Sequence, residues 1–287
     1  MSRFILLLLY LTALVVLLYY AWDGMDYYQT ALLDRPHHLE HQNVKPGGIR
    51  GHGLGILGTG MMILLLTYSL RKRGRVFGQL GTITRWLDFH IFLGIMGPLF
   101  VILHTAFKLN GIVAISFWSM IAVALSGVLG RYLYLQIPRN IQGNELHIQD
   151  LEQANKEFTH DLLSEYSVTE LDISVAENKI AGTISQRKSG LGILVSMLFS
   201  DVFRFFRIMI IKRYLRKKGG LSRIQTKKLI ETMKKKAILN RRIILWEKVH
   251  RLFHYWHVIH KPFAIVMYLI MIIHVALTVI FGYRWIF

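Results

Sequence analysis

The sequence predicts an all-α membrane protein, a five-helix transmembrane bundle with a cytoplasmic, mostly helical insert that contains a small β-hairpin. Five segments, roughly 4–22, 52–70, 89–107, 112–136 and 262–282, are apolar over the ~20 residues that a bilayer core demands. Hydrophobic residues make up 53% of the 287, and the mean hydropathy is +0.38, more apolar than a soluble domain needs. Lys and Arg crowd into alternate connecting loops, the pattern that orients helices in a membrane.

The first apolar run follows Arg3, as a signal peptide's would. It is long for that role, and Trp22-Asp23-Gly24-Met25-Asp26-Tyr27-Tyr28 after it offers no small-x-small cleavage site, so it is expected to stay as an anchor. In the loop 23–51, Arg35, Lys45 and Arg50 are offset by Asp23, Asp26, Asp34 and Glu40. Arg71, Lys72, Arg73, Arg75 and Arg85 follow the second span, Lys108 alone flanks the loop near 108–112, and most other cations lie between spans four and five. The positive-inside rule then places the N-terminus, 71–88 and 137–258 in the cytoplasm. The loop 23–51, the 108–112 loop and the C-terminus fall outside, across a bacterial-type cytoplasmic (inner) membrane. This topology accounts for the net charge of +18, and no nucleic-acid partner is expected.

Pro138 ends the fourth span and opens the insert. Residues 147–165 have the pattern of an amphipathic helix, and ELDISV and KIAGTIS alternate apolar and polar residues around AEN, which predicts the hairpin. In 191–211, Asp201, Arg204 and Arg207 share a sector with Ser196 and Ser200, which favours a helix in the inner interface over a sixth span. A sixth span would turn the last helix over and pair His90 with His274. Residues 212–251 are basic and helical in pattern, suited to anionic lipid headgroups. The expected organisation is thus spans one to four in 1–136, the insert in 137–258 and span five in 259–287.

The chain has no cysteine, which excludes disulfides, thiolate metal sites, iron–sulfur ligation and covalently attached haem. Its most informative feature is histidine. His90 and His104 lie 14 residues apart in one apolar run, and His260 and His274 repeat the spacing in another. Fourteen residues fall about 40° short of four helical turns, so each pair projects from one face, with members roughly 21 Å apart along the axis. The expected topology runs both helices from inside to outside, which brings His90 level with His260 and His104 level with His274. Two facing couples, one near each membrane surface, are the arrangement that holds two non-covalent haems by axial imidazoles. Ionisable groups inside spans are costly and point to function.

Gly94 and Gly97 lie between His90 and His104, where a missing side chain lets a flat macrocycle approach. Gly53, Gly55, Gly58 and Gly60 in span two and Gly127 and Gly130 in span four offer the same, although membrane helices also use glycine for packing. Arg85, Arg131 and Lys261 near the inner ends, and Lys108 outside, are candidates to pair with propionates or to anchor the spans. His250, His254 and His257 are rotated about 120°, 160° and 100° from the face of His274, unless a kink at Pro262 brings His257 round. His52 opens span two, within reach of an outer haem or a quinone. His37, His38 and His41 form a cluster in PHHLEH that suits a solvated patch better than a transition metal.

Two helices that each carry a histidine pair at this spacing resemble the di-haem b-type membrane cytochromes. With the ligands on spans three and five, the chain is most similar to the transmembrane domain of the ferric reductase/NADPH oxidase family. H-x13-H with Gly94 and Gly97-Pro98 carries most of the likeness. HKPFAIVMYLIMIIH lacks internal glycine, and the likeness does not reach the insert. The resemblance implies haem b bound by His90, His104, His260 and His274. It also implies an electron-transfer subunit of an oxidoreductase, joining the quinone pool or a cytoplasmic-side donor to an extracytoplasmic redox protein or metal acceptor. Members that oxidise NADPH continue into flavin and nucleotide domains. Here no Gly-rich dinucleotide fingerprint follows a strand, so donor and acceptor are expected on other molecules, in an oligomer or multi-subunit complex. Two alternatives are a terminal ferric reductase, for which PHHLEH is the hint, and a haem-free metal or proton permease, against which the spans hold few acidic partners.

Overall fold

The computed structural model describes residues 3–74, 81–139, 145–166, 168–182, 190–218 and 223–281. Among them the chain is helical, without strands. The helices are α1 (Arg3–Asp23), α2 (Met25–Gln29), α3 (His41–Val44), α4 (Ile49–Arg73), α5 (Ile83–His104), α6 (Ile112–Gln136), α7 (Ile148–Tyr166), α8 (Glu170–Ala181), α9 (Gly190–Lys218), α10 (Arg223–Ile244) and α11 (Trp246–Ile280). A 3-10 turn covers Arg35–His37. Helices α1, α4, α5, α6 and α11 are long and apolar enough to cross a membrane, and the chain is a multi-pass membrane protein. Two compact units divide within α6 and α11. One holds Met1–Arg131 and Trp256–Phe287, the other Tyr132–Tyr255.

In the first unit, α4 and α5 approach most closely, because glycines meet at their crossing. A Cβ on Gly58 would stand 2.7 Å from Val101 Cγ2 and 3.0 Å from Gly97 O, and one on Gly97 would meet Met62 and Gly58 O at 3.3 and 3.4 Å. Without a water-driven hydrophobic effect in lipid, such close backbone packing is what holds helices together. Helix α1 covers the other side of α5, with Tyr10 edge-on to Phe92 at 4.8 Å. Helix α11 joins through side chains, and its backbone comes as close to no other described helix as α4 does to α5. Tyr268 Oη donates to Met62 O (2.6 Å), Ser116 Oγ donates to Met267 O (3.1 Å), and Met62, Met120 and Met267 form a buried layer. Pro262 lies inside α11 without ending it.

Outside the spans, buried Arg35 is a clamp. Its guanidinium donates to Thr30 O, Tyr28 O and Ala106 O. Ala106 and Phe107 adopt the left-handed conformation (φ 45° and 60°) in the turn directly after His104. The clamp therefore fixes the turn that ends α5.

The second unit corrects one expectation. Glu170–Ala181 is a helix, where alternation predicted the first strand and turn of a hairpin, and residues 183–185 of KIAGTIS lie outside the described residues. Thr169 starts it with a capping box, its Oγ1 accepting from Asp172 N–H while Asp172 accepts from Thr169 N–H. Gly182 (φ 73°) ends it. In a strand, Leu171, Ile173 and Val175 would share a face. In the helix Ile173 is buried with Ala176, Ile180 and Ala181, while Leu171 and Val175 are exposed. The same letters fit a 3.6-residue period, and caps at both ends decide for it. Helix α8 packs on α10 through Leu229, Met233 and Ala237, with Lys236 and Asn240 donating to Glu177.

Candidate functional site

All four spaced histidines lie in the first unit, on the sides of α5 and α11 turned towards neighbouring helices. On α11 the inward stripe runs Trp256, His260, Ala264, Met267, Met271, His274, Thr278, while Ile265, Leu269, Ile272 and Ile273 are exposed. His90 and His260 are close enough to interact electrostatically, and so are His104 and His274. The four thus form two tiers, one at each end of the stripe. The methionine layer lies between them.

Three of the rings are oriented by oxygen atoms at Nδ1. His90 Nδ1 lies 3.2 Å from Leu65 O, and His104 Nδ1 lies 2.8 Å from Gly51 O. A carbonyl only accepts, so Nδ1 carries the proton in both rings and Nε2 is left with a lone pair. His260 Nδ1 is 2.7 Å from Ser126 Oγ. The Ser126 hydroxyl donates to Val123 O (2.9 Å), which leaves its oxygen to accept from His260 Nδ1–H. His274 makes no such bond among the described residues.

Neighbouring residues set where the rings lie. A Cβ on Gly55 would fall 2.6 Å from His104 Nδ1, so the glycine gives that ring its place against α4. Trp256 lies 5.0 Å from His260, donates Nε1–H to Ser126 O (2.6 Å) and occupies the surface of Gly130, where a Cβ would be 2.2 Å from its ring. Tyr68 lies 5.0 Å from His90.

The remaining expected residues have definite places. Gly97 is buried at the α4 crossing, whereas a Cβ on Gly94 would meet only Leu65 at an ordinary 3.7 Å. Arg131 Nη2 donates to Asp88 Oδ1 at 3.0 Å. Arg85 and Lys261 are exposed. His52 is within electrostatic range of His104 and His274, and His257 of His260. In the segment between α1 and α4, His38 Nε2 lies 2.9 Å from Asp26 Oδ2, and Tyr27 Oη is 3.1 Å from His41 Nδ1. No group of three or more metal-ligating side chains forms a site there or elsewhere among the described residues.

Sequence reasoning missed Ser126, Trp256, Asp88 and Arg35. Ser126 and Trp256 carried a faint signal, since a hydroxyl in one span and an indole one turn before His260 are polar groups that need partners. Arg35 carried none. Comparison of the chain with protein-family models, with curated proteins and with solved structures finds no match in any of the three.

Proposed function

We propose that the chain is a di-haem b-type cytochrome that moves electrons across a cytoplasmic-type membrane, one haem held by His90 and His260 and the other by His104 and His274. The observation that carries this reading is the ring orientation. Nδ1 of His90, His104 and His260 is turned to an oxygen atom, which fixes the tautomer and leaves Nε2 for iron. Donor type and number fit the group, because each tier holds two imidazoles within electrostatic range of one another and the sequence has no thiolate. When bound, haem would supply a one-electron carrier whose potential the histidines that hold it would help to set.

The chain's own residues do the rest. Ser126, Leu65 O and Gly51 O hold the rings, and hydrogen bonds at Nδ1 raise the basicity of Nε2. The methionine layer and the apolar faces of α4, α5, α6 and α11 exclude water. Gly94 leaves room beside His90, and Arg85, Arg131 and Lys261 offer cations for propionates at the inner tier. The tiers stand roughly 21 Å apart along α5, a separation that carries charge most of the way across a bilayer core. With the basic loops inside, the inner tier faces the cytoplasm. With haem bound, electrons would pass between the quinone pool or a cytoplasmic-side donor and an extracytoplasmic acceptor.

A reduced-minus-oxidised visible spectrum of the purified protein tests the reading. Low-spin b-type bands that appear with dithionite and, in part, with a quinol support it. A colourless, well-folded preparation from haem-replete cells sinks it and leaves the histidines to a cation path.

A further inference from the structure

The second unit holds a cationic cluster that electron transfer does not use. Asp201 on α9 accepts from Arg204, from both Nη atoms of Arg241, from Tyr132 Oη (2.8 Å) and from Gln136 Nε2 (3.4 Å). Beside it, Arg207 donates to Ser200 O and Oγ, and Arg242 donates to Leu135 O (2.8 Å). Four guanidinium groups thus gather around one carboxylate, and two of them, Arg204 and Arg241, bond it directly. Among the described residues the Nε atoms of all four are buried without a partner, and the Arg241 side chain is only 4% exposed. Burial, together with the charge of Arg241, holds Arg204, Arg207 and Arg242 below the ordinary guanidinium range. Crowded, partly buried like charges with buried Nε donors unmet among the described residues call for a counter-anion, and guanidinium groups match phosphate oxygens in charge and shape.

Two more observations say where that anion comes from. Leu135 and Gln136, which touch Arg242 and Arg241, end α6, a span, so the cluster lies at the depth of lipid headgroups. Next to Arg204 and Arg207 on the same helix, Phe199, Val202, Phe203, Phe205 and Phe206 are exposed, an aromatic face suited to acyl chains. We propose that Arg204, Arg207, Arg241 and Arg242 form a binding site for the phosphate of an anionic phospholipid, whose acyl chains lie on the aromatic face of α9. The exposed Lys227 and Lys228 of α10 serve as the comparison for diffuse attraction.

The test is native mass spectrometry and thermal unfolding of the full-length protein in detergent, with dioctanoyl phosphatidylglycerol, dioctanoylglycerol or inorganic phosphate added. The phosphatidylglycerol is expected to bind one per chain and raise Tm, whereas dioctanoylglycerol is not. In R204Q/R207Q the affinity falls at least about tenfold, the loss of a charge-assisted hydrogen bond, while K227Q/K228Q binds as the wild type does. If the double variant does not fold, R242Q, which among the described residues gives up the bond to Leu135 O, is expected to weaken binding in the same direction. Equal binding of dioctanoylglycerol, equal loss in K227Q/K228Q, or no loss in the arginine variants overturns the site. Arginine-dependent stabilisation by inorganic phosphate matching that by the lipid keeps the phosphate chemistry and overturns the lipid as its source.

Discussion

The imidazole of His104 occupies the space that a side chain on Gly55 would need: a Cβ there would lie 2.6 Å from Nδ1. The ring reaches Gly51 O one turn away along α4 because of that gap. Gly55→Ala raises intrinsic helix propensity by about 1 kcal/mol, and on that ground alone would stabilise α4. The expected outcome is the reverse at the site. On the proposed di-haem reading, the haem at His104 and His274 is lost or loosened while the one at His90 and His260 stays, which a haem-to-protein ratio falling from two towards one would register.

Ser126 on α6 holds the ring of His260. Its removal leaves His260 Nδ1–H without an acceptor and frees the ring to turn. Ser126→Ala is expected to weaken inner-haem retention about tenfold to a hundredfold, the range for lost support behind a metal ligand, and to shift that haem's potential. A redox titration that resolves both haems checks it. Equal shifts in the two would point to a general loosening of the bundle.

Arg35 ties residues 28–30 to the turn after His104 through three carbonyls. Arg35→Met keeps the aliphatic stem and strands those acceptors, a cost of at least about 2 kcal/mol given the strength of charged hydrogen bonds. Thermal unfolding in detergent is expected at lower temperature and, on the di-haem reading, with loss of the haem at His104 and His274 preceding loss of the other.

Thr169 caps α8. Thr169→Ala is expected to cost about 1 kcal/mol. Amide exchange across 170–181 should then speed up about fivefold, with the spans unaffected. A hairpin there would show no such dependence on a helix cap.

The spans and the two histidine pairs were legible because each depends on one helix at a time. Apolar length marks α1, α4, α5, α6 and α11, and a spacing of 14 puts both histidines of a pair on one face whatever surrounds them. Residues whose role depends on a partner far along the chain were not. Ser126 meets His260 across 134 positions and Arg35 meets Ala106 across 71, and neither pairing leaves a local pattern. Gly97 shows the middle case. Its place inside a span was plain, but whether it faces another helix or open space depends on Gly58 and Met62 of α4. The segment at 170–181 misled for a different reason: six residues of alternation fit two periods, and the decisive Thr169–Asp172 pair was the stronger signal.

The most direct measurement is a pyridine haemochrome count on the purified wild type and on four single variants, His90→Ala, His104→Ala, His260→Ala and His274→Ala. The account predicts two b-type haems per chain in the wild type. His90→Ala and His260→Ala lose the same spectral component, and His104→Ala and His274→Ala lose the other. A wild type without haem, or variants whose losses do not pair in this way, would contradict it.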